Sequence, residues 1–239
     1  MSVKTDSLAG AFVLCDSDKP WRLFAAFGAL VRTWFLKPGL PSDDSTNSPT
    51  EFITTAVGTS PLTVGEVTGY PLLATTGGTE YNGLNFQLRG ESCKLVSGKT
   101  AYLRGKVKLS EATQIDFLLG LCELKTDLMK TSVAHGVLAT GVEGVFFVKV
   151  DGSTTIKFKA YKDGAETFTC DVGVLGTVDM DYEIVWDGSA VKVYLDGILI
   201  TQFSGTLPDG DLTPSFNLRS GDGNARTESF AELSYVSIG

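Results

Sequence analysis

Between Met180 and Phe203 apolar and polar side chains alternate with a period of two. Met180, Tyr182, Ile184 and Trp186 fall on one side of the run, and Asp179, Asp181 and Glu183 on the other. Successive strand residues point to opposite faces, so this predicts one buried and one solvated face. Asp187-Gly188 interrupts the run, Val191, Val193 and Leu195 resume it, and Asp196-Gly197 turns the chain into Ile198-Leu199-Ile200. Asp-Gly between alternating runs is a strong hairpin signal, so the stretch predicts a three-stranded antiparallel meander. Its apolar face needs a second layer over it.

The rest of the chain supplies that layer. Ala101 to Leu109 alternates regularly, and Ile115–Glu123 is a more continuous apolar run that suits a central strand. Val145–Val150 and Thr155–Tyr161 flank Asp151-Gly152, and Asp163-Gly164 leads into Thr167–Val172. Phe216–Arg219 and Glu228–Ile238 complete the series. Upstream, strands are expected near 52–57 and 65–73, and Asn82-Gly83 turns into the alternating Leu84, Phe86 and Leu88. Turn signals at this spacing predict an all-β fold, an antiparallel sandwich. The segment Lys125–Gly136 reads as a polar loop and carries the only histidine, His135.

The N-terminal stretch has another texture. Leu23, Phe24, Phe27, Leu30, Val31, Trp34 and Phe35 recur at helical spacing between Pro20 and Lys37-Pro38-Gly39. This predicts an amphipathic helix over about residues 21–36, with two short strands broken at Gly28 as the alternative. Arg22 and Arg32 in so short a segment argue against a transmembrane span. A membrane-surface helix would carry a more lysine-rich polar face, so no membrane partner is expected. The apolar face either packs on the sandwich or docks on another chain, which makes those seven residues the interface candidates. Leu40–Thr50 is polar and rich in Pro and Ser and reads as a linker. The expected organisation is an arm over 1–50 and a β-sandwich over 51–239.

A net charge of -8 over 239 residues, with nothing resembling a basic stripe, argues against a nucleic-acid partner. Cys15, Cys93, Cys122 and Cys170 are far apart and read as small apolar residues in a reducing compartment. The N-terminus lacks the pattern of a secretory signal. Three carboxylates at alternate positions, Asp179, Asp181 and Glu183, have the look of glycosidase chemistry, but a solvated outer face accounts for them. Asp209, Asp211, Asp222 and Asn224 offer oxygen atoms for calcium, yet each also suits its turn. His135 has no nucleophile elbow or cysteine partner near it in sequence. The expectation is therefore no catalytic residue, no metal and no cofactor: the chain is read as not an enzyme.

Two resemblances sharpen this picture. The pattern Tyr182-x-Ile184-x-Trp186-Asp187-Gly188, then Val191-x-Val193-Tyr194-Leu195-Asp196-Gly197, resembles the late strands of concanavalin A-like (laminin G-like) jelly-roll sandwiches. Lys99–Leu109, Ile115–Glu123, Glu143–Gly152, the two later Asp-Gly turns and Leu212–Gly221 occur in an order similar to head-decoration or cement proteins of tailed bacteriophages, over residues 80–239. That resemblance implies a non-enzymatic virion protein, made in the host cytoplasm and placed on the capsid surface. Its partners would be the major capsid protein and further copies of itself, as a trimer. The alternative is a lectin-like carbohydrate-binding module of a phage fibre or surface protein. A host glycan would then stack on Tyr102 and Tyr194, expected to be exposed.

Overall fold

The structure is a computed structural model; it describes residues 52–67, 70–90, 93–129 and 134–238, and before them the strands at 3–8, 11–16, 23–26 and 31–35. It is an all-β sandwich of two antiparallel sheets. The seven-stranded sheet runs, in spatial order, β13 (Ala165–Val174), β12 (Thr155–Lys162), β11 (Gly144–Lys149), β10 (Ile115–Cys122), β17 (Thr213–Ser220), β8 (Gly83–Leu88) and β5 (Phe52–Val57). The eight-stranded sheet runs β16 (Ile198–Phe203), β15 (Val191–Leu195), β14 (Met180–Trp186), β9 (Thr100–Leu109), β18 (Thr227–Ile238), β7 (Tyr70–Thr75) and β6 (Leu62–Val67), with β4 (Val31–Phe35) also paired to β18. A separate three-stranded sheet holds β1 (Val3–Leu8), β2 (Ala11–Asp16) and β3 (Leu23–Ala26).

Turn chemistry sets the register of the hairpins. Asp163-Gly164 and Asp196-Gly197 have φ of 51° and 77°, and of 50° and 76°. Positive φ at both central positions defines the tight turn whose twist matches antiparallel strands. The four-residue loop after Trp186 works differently: Asp187 Oδ1 accepts the N–H groups of Ser189 and Ala190, each at 2.9 Å. Tyr182, Ile184, Trp186, Val191, Val193 and Leu195 all lie in the core between the sheets, as the alternation requires. Facing them from the other sheet are Ile115, Phe117, Leu119 and Leu121 of β10, the middle strand of seven, and Phe147 and Phe158. Tyr182 packs edge-on to Phe147 with ring centroids 5.1 Å apart. At the other end Phe52, Phe86, Phe216 and Phe230 form a second aromatic group. The edges of the two sheets are tied by Phe168 on Phe203, stacked at 4.4 Å.

Three expectations need correction. Residues 65–73 do not form one strand but the β6–β7 hairpin. The helix expected over about 21–36 is replaced, where the stretch is described, by β3 and β4. The reason for β4 lies in its partner. One edge of the long β18 pairs with β9 throughout, but on its other edge β7 covers only Thr227–Phe230. Beyond that point a row of backbone groups would be left unpaired, and β4 pairs with Ser234–Ile238. Val31, Thr33, Trp34 and Phe35 are β-branched or aromatic and suit a strand. Of the seven interface candidates, Leu23, Phe24, Val31, Trp34 and Phe35 fall on these strands, and Phe27 and Leu30 lie outside the described residues.

The third correction concerns the polar side of β14. Asp179 is exposed, but Glu183 is fully buried and Asp181 is held by Arg104, whose Nε and Nη2 donate to its carboxylate at 2.8 and 2.6 Å. The register places Arg104 directly opposite Glu183 and two positions, hence on the same face, from Lys106, the partner of Asp181, so an arginine and two carboxylates share one patch. This is an ion-paired face rather than a solvated one.

Candidate functional site

Opposite the core, the seven-stranded sheet presents a polar outer face. Phe216 and Leu218 of β17 point inward, so Ser215, Asn217 and Arg219 point outward. The same parity turns Asn85 and Gln87 of β8, and Asp116 of β10, to the outer side. Strand register aligns them: Gln87 beside Ser215, Asn85 beside Asn217, and Asp116 beside Arg219.

Polar side chains on a central strand must find partners once covered, and the segment 123–127 provides many of them. Gln87 Nε2 donates to Glu123 O at 2.9 Å and to Ser215 Oγ at 2.8 Å, while Gln87 Oε1 accepts from Lys125 N at 2.9 Å. Asn85 Nδ2 donates to Lys125 O at 2.9 Å. The two amides thus hold the loop against the sheet. Beyond it Leu128, Met129 and Val142 pack on Leu118, Cys122, Phe146 and Val148 as a second apolar cluster.

Between this loop and strands β5, β8 and β17 lies a cleft of about 170 Å³, lined by Thr55, Val57, Asn85, Thr126, Asp127, Asn217 and Arg219 among others. Two of its side chains are short of partners. Asn217 Oδ1 is buried and, among the described residues, receives no hydrogen bond. Arg219 is only 1% exposed, and none of its three guanidinium nitrogens has an acceptor among the described residues. Burial lowers the Arg219 pKa, and the charges of Asp116 and Asp127 oppose that shift.

An aromatic and acidic rim stands over Arg219. The Tyr81 ring covers its guanidinium at 5.4 Å and stacks on the His135 ring at 4.6 Å. Tyr81 has φ of 66°, a left-handed backbone that an aromatic residue rarely adopts. His135 Nδ1 lies 2.7 Å from Asp116 Oδ2, and its Nε2 lies 3.3 Å from Glu80 Oε1. Asp116 Oδ1 accepts from Asp151 N at 2.8 Å. Burial works to lower the His135 pKa, but the Asp116 hydrogen bond and charge, with Glu80 and Asp151, outweigh it and raise the value.

The residues singled out from sequence sit elsewhere, apart from His135. Asp209 is paired with Lys162 at 2.5 Å, Asp211 with Lys94 at 3.3 Å, and Asp222 with Arg226 at 2.6 Å. Asn224 donates to Asp222 within its own loop. Among the described residues no three His, Cys, Asp or Glu groups are arranged to hold a metal ion. Tyr102 and Tyr194, expected as exposed stacking surfaces, are 6% and 4% exposed on the outer face of the eight-stranded sheet. Cys122 is buried, and Cys93 and Cys170 are partly so; all three are free thiols. The cleft was missed because Thr55, Asn85, Thr126 and Arg219 are scattered along the chain. One signal was present: in Phe216-Asn217-Leu218-Arg219 an amide and a cation alternate with core residues.

Two packed antiparallel sheets with this polar outer face define a concanavalin A-like jelly-roll sandwich. No protein-family model matches the chain, and no curated protein matches it by sequence. Solved structures do match by fold. The carbohydrate recognition domain of Emp47p superposes with a TM-score of 0.58 at 11% identity, covering 84% of this chain and 94% of that one. The Crh5 transglycosylase gives 0.54 at 13% identity over 87% and 84% of the two chains. The Bacillus licheniformis β-glucanase gives 0.53 at 12% identity over 85% and 97%. The expectation that the chain is not an enzyme is overturned by the last two, since this sandwich is a scaffold for glycan-processing enzymes as well as for lectins. At such identities the likeness establishes the fold and assigns no activity.

Proposed function

We propose that the protein binds carbohydrate in the cleft on the outer face of the seven-stranded sheet. The reading is carried by the lining itself: Thr55, Thr126, Asn85, Asn217, Asp127 and Arg219, residues with hydroxyl, amide, carboxylate and guanidinium groups, line one recess. Closely spaced hydroxyls of a sugar need alternating donors and acceptors of this kind. The volume is below the roughly 300–1,000 Å³ of sites for drug-sized ligands, which fits one sugar unit with its chain continuing into solvent. Fold neighbours that are carbohydrate recognition domains add support. The test is a glycan screen on the intact chain beside Thr55→Trp, which plugs the recess from a half-exposed position. Binding by the wild type and its loss in a variant of unchanged melting temperature are expected. A wild type that binds no neutral or charged glycan refutes the reading.

A second reading is capsid decoration by a homo-oligomer such as a trimer, with residues 1–50 as the attachment arm and the major capsid protein as partner. It draws on the sequence resemblance and on apolar side chains exposed along the sandwich edge, with Val174 at 67%, Ile198 at 66% and Leu199 at 50%. Light scattering and capsid co-sedimentation test it. A monomer that binds capsids no better with residues 1–45 than without them rules it out.

A further inference from the structure

Arg219 is the feature that the carbohydrate reading leaves unexplained. A guanidinium carries five N–H donors and keeps its charge in any protein environment. Here it is 1% exposed, and none of its nitrogens has a protein acceptor among the described residues. Its cross-strand neighbour Asp116 accepts no hydrogen bond from it and turns its oxygens to other groups. Oδ2 faces His135 Nδ1 at 2.7 Å and Oδ1 accepts from Asp151 N at 2.8 Å. Asp127 lowers the electrostatic strain across the cleft without supplying the bidentate partner that a guanidinium fork fits. Two residues earlier on the same face of β17, Asn217 Oδ1 is a buried acceptor without a donor. A buried cation without acceptors and a buried acceptor without a donor thus line one recess.

We infer that the ligand is an acidic sugar, whose carboxylate pairs with Arg219 while a hydroxyl on the same ring donates to Asn217 Oδ1. This rests on the cleft being a carbohydrate site and specifies its ligand class. A single carboxylate fits better than a more highly charged group, because Asp127 shares the lining and the whole chain carries a net charge of -8. In the structure the Tyr81 ring covers the guanidinium. Rotation about the outer bonds of the Arg219 side chain turns it from beneath that ring toward the cleft it already lines. Uronic and sialic acids share the required chemistry, and the choice between them is made by experiment.

The experiment is calorimetric titration of the intact chain at fixed ionic strength. The ligands are an oligouronate, a sialylated oligosaccharide, and carboxyl-reduced forms of each, titrated into wild type, Arg219→Met and Asn217→Asp. Expected is at least tenfold tighter wild-type binding of one acidic ligand than of its reduced form. Arg219→Met should abolish that preference while melting at or above the wild-type temperature, because it removes a charge that the fold does not pair. Asn217→Asp, nearly isosteric, supplies an internal carboxylate for Arg219 and should weaken the acidic ligand at least tenfold. Equal wild-type affinity for acidic and reduced forms overturns the acidic-sugar inference and leaves the carbohydrate site standing. Binding of neither form removes both. A preference that survives in Arg219→Met and Asn217→Asp, or an Arg219→Met protein that melts well below the wild type, overturns the role given to Arg219.

Discussion

Replacing Glu228 with leucine should stabilise the protein, and by an amount that grows with pH. Glu228 lies on β18 between Leu109 of β9 and Ala74 of β7, on the core-facing side with Phe230 two residues on. It is fully buried, and neither carboxyl oxygen has a hydrogen-bond partner among the described residues. Burial alone raises its pKa well above the ordinary glutamate value. The folded protein therefore keeps a proton that the unfolded chain releases above about pH 4.3. Stability tied to this group is full below that pH and falls as the pH rises toward the raised value, by about 1.4 kcal/mol for each pH unit in the window. Below the window, Glu228→Leu gains only the removal of an unpaired buried polar group, about 1–3 kcal/mol. Within it, the proton term adds to that gain. Urea unfolding followed by the fluorescence of the buried Trp186, run from pH 4.5 to 8, measures both. Glu228→Gln isolates the proton term, since it removes titration and keeps the polar atoms. Parallel pH profiles for wild type and Glu228→Leu would refute the placement of a neutral acid in the core.

Three further outcomes follow from the geometry. His135 should titrate above the ordinary value near 6.5, so the stability it contributes is present below that pH and lost as the pH rises through its raised pKa; an NMR titration checks this. In Asp116→Asn the imidazole should titrate lower, and an unchanged curve would deny the contact its role. Gly120→Ala should cost about 3 kcal/mol in urea unfolding, because a Cβ there would sit 2.3 Å from Phe146 Cβ and 2.4 Å from Val145 O. A loss below about 1 kcal/mol would show that β10 and β11 are spaced more loosely than described.

The parts of the fold legible in the sequence are those governed by local rules. Alternation identified the six core residues from Tyr182 to Leu195, and Asp-Gly dipeptides marked turns whose positive φ values require such residues. The continuous apolar run at Ile115 identified the middle strand of the seven-stranded sheet. Errors arose where distant partners decide. Leu23 to Phe35 has a spacing compatible with a helix, and only the free edge of β18 shows why Val31–Phe35 is a strand. Glu183 and Tyr194 alternate correctly, but sequence does not reveal that their face is closed. The cleft joins Thr55, Asn85 and Asn217 through strand pairing across most of the chain, and no local pattern encodes such a meeting. A cation between core residues on a central strand was the available clue, since arginine is rarely buried without a reason.

The pairing of β8 with β17 also orders events in time. Gln87 meets Ser215 across a separation of 128 residues, and β9 finds a partner in β18 near the far end of the chain. Closing such large loops precedes any reward from the contacts they bring, which makes folding slow. During synthesis β5 and β8 emerge long before the strand that joins them to the rest of their sheet. Until then their apolar sides, with Phe52 and Phe86, lack the sheet that covers them in the folded protein and are open to other nascent chains.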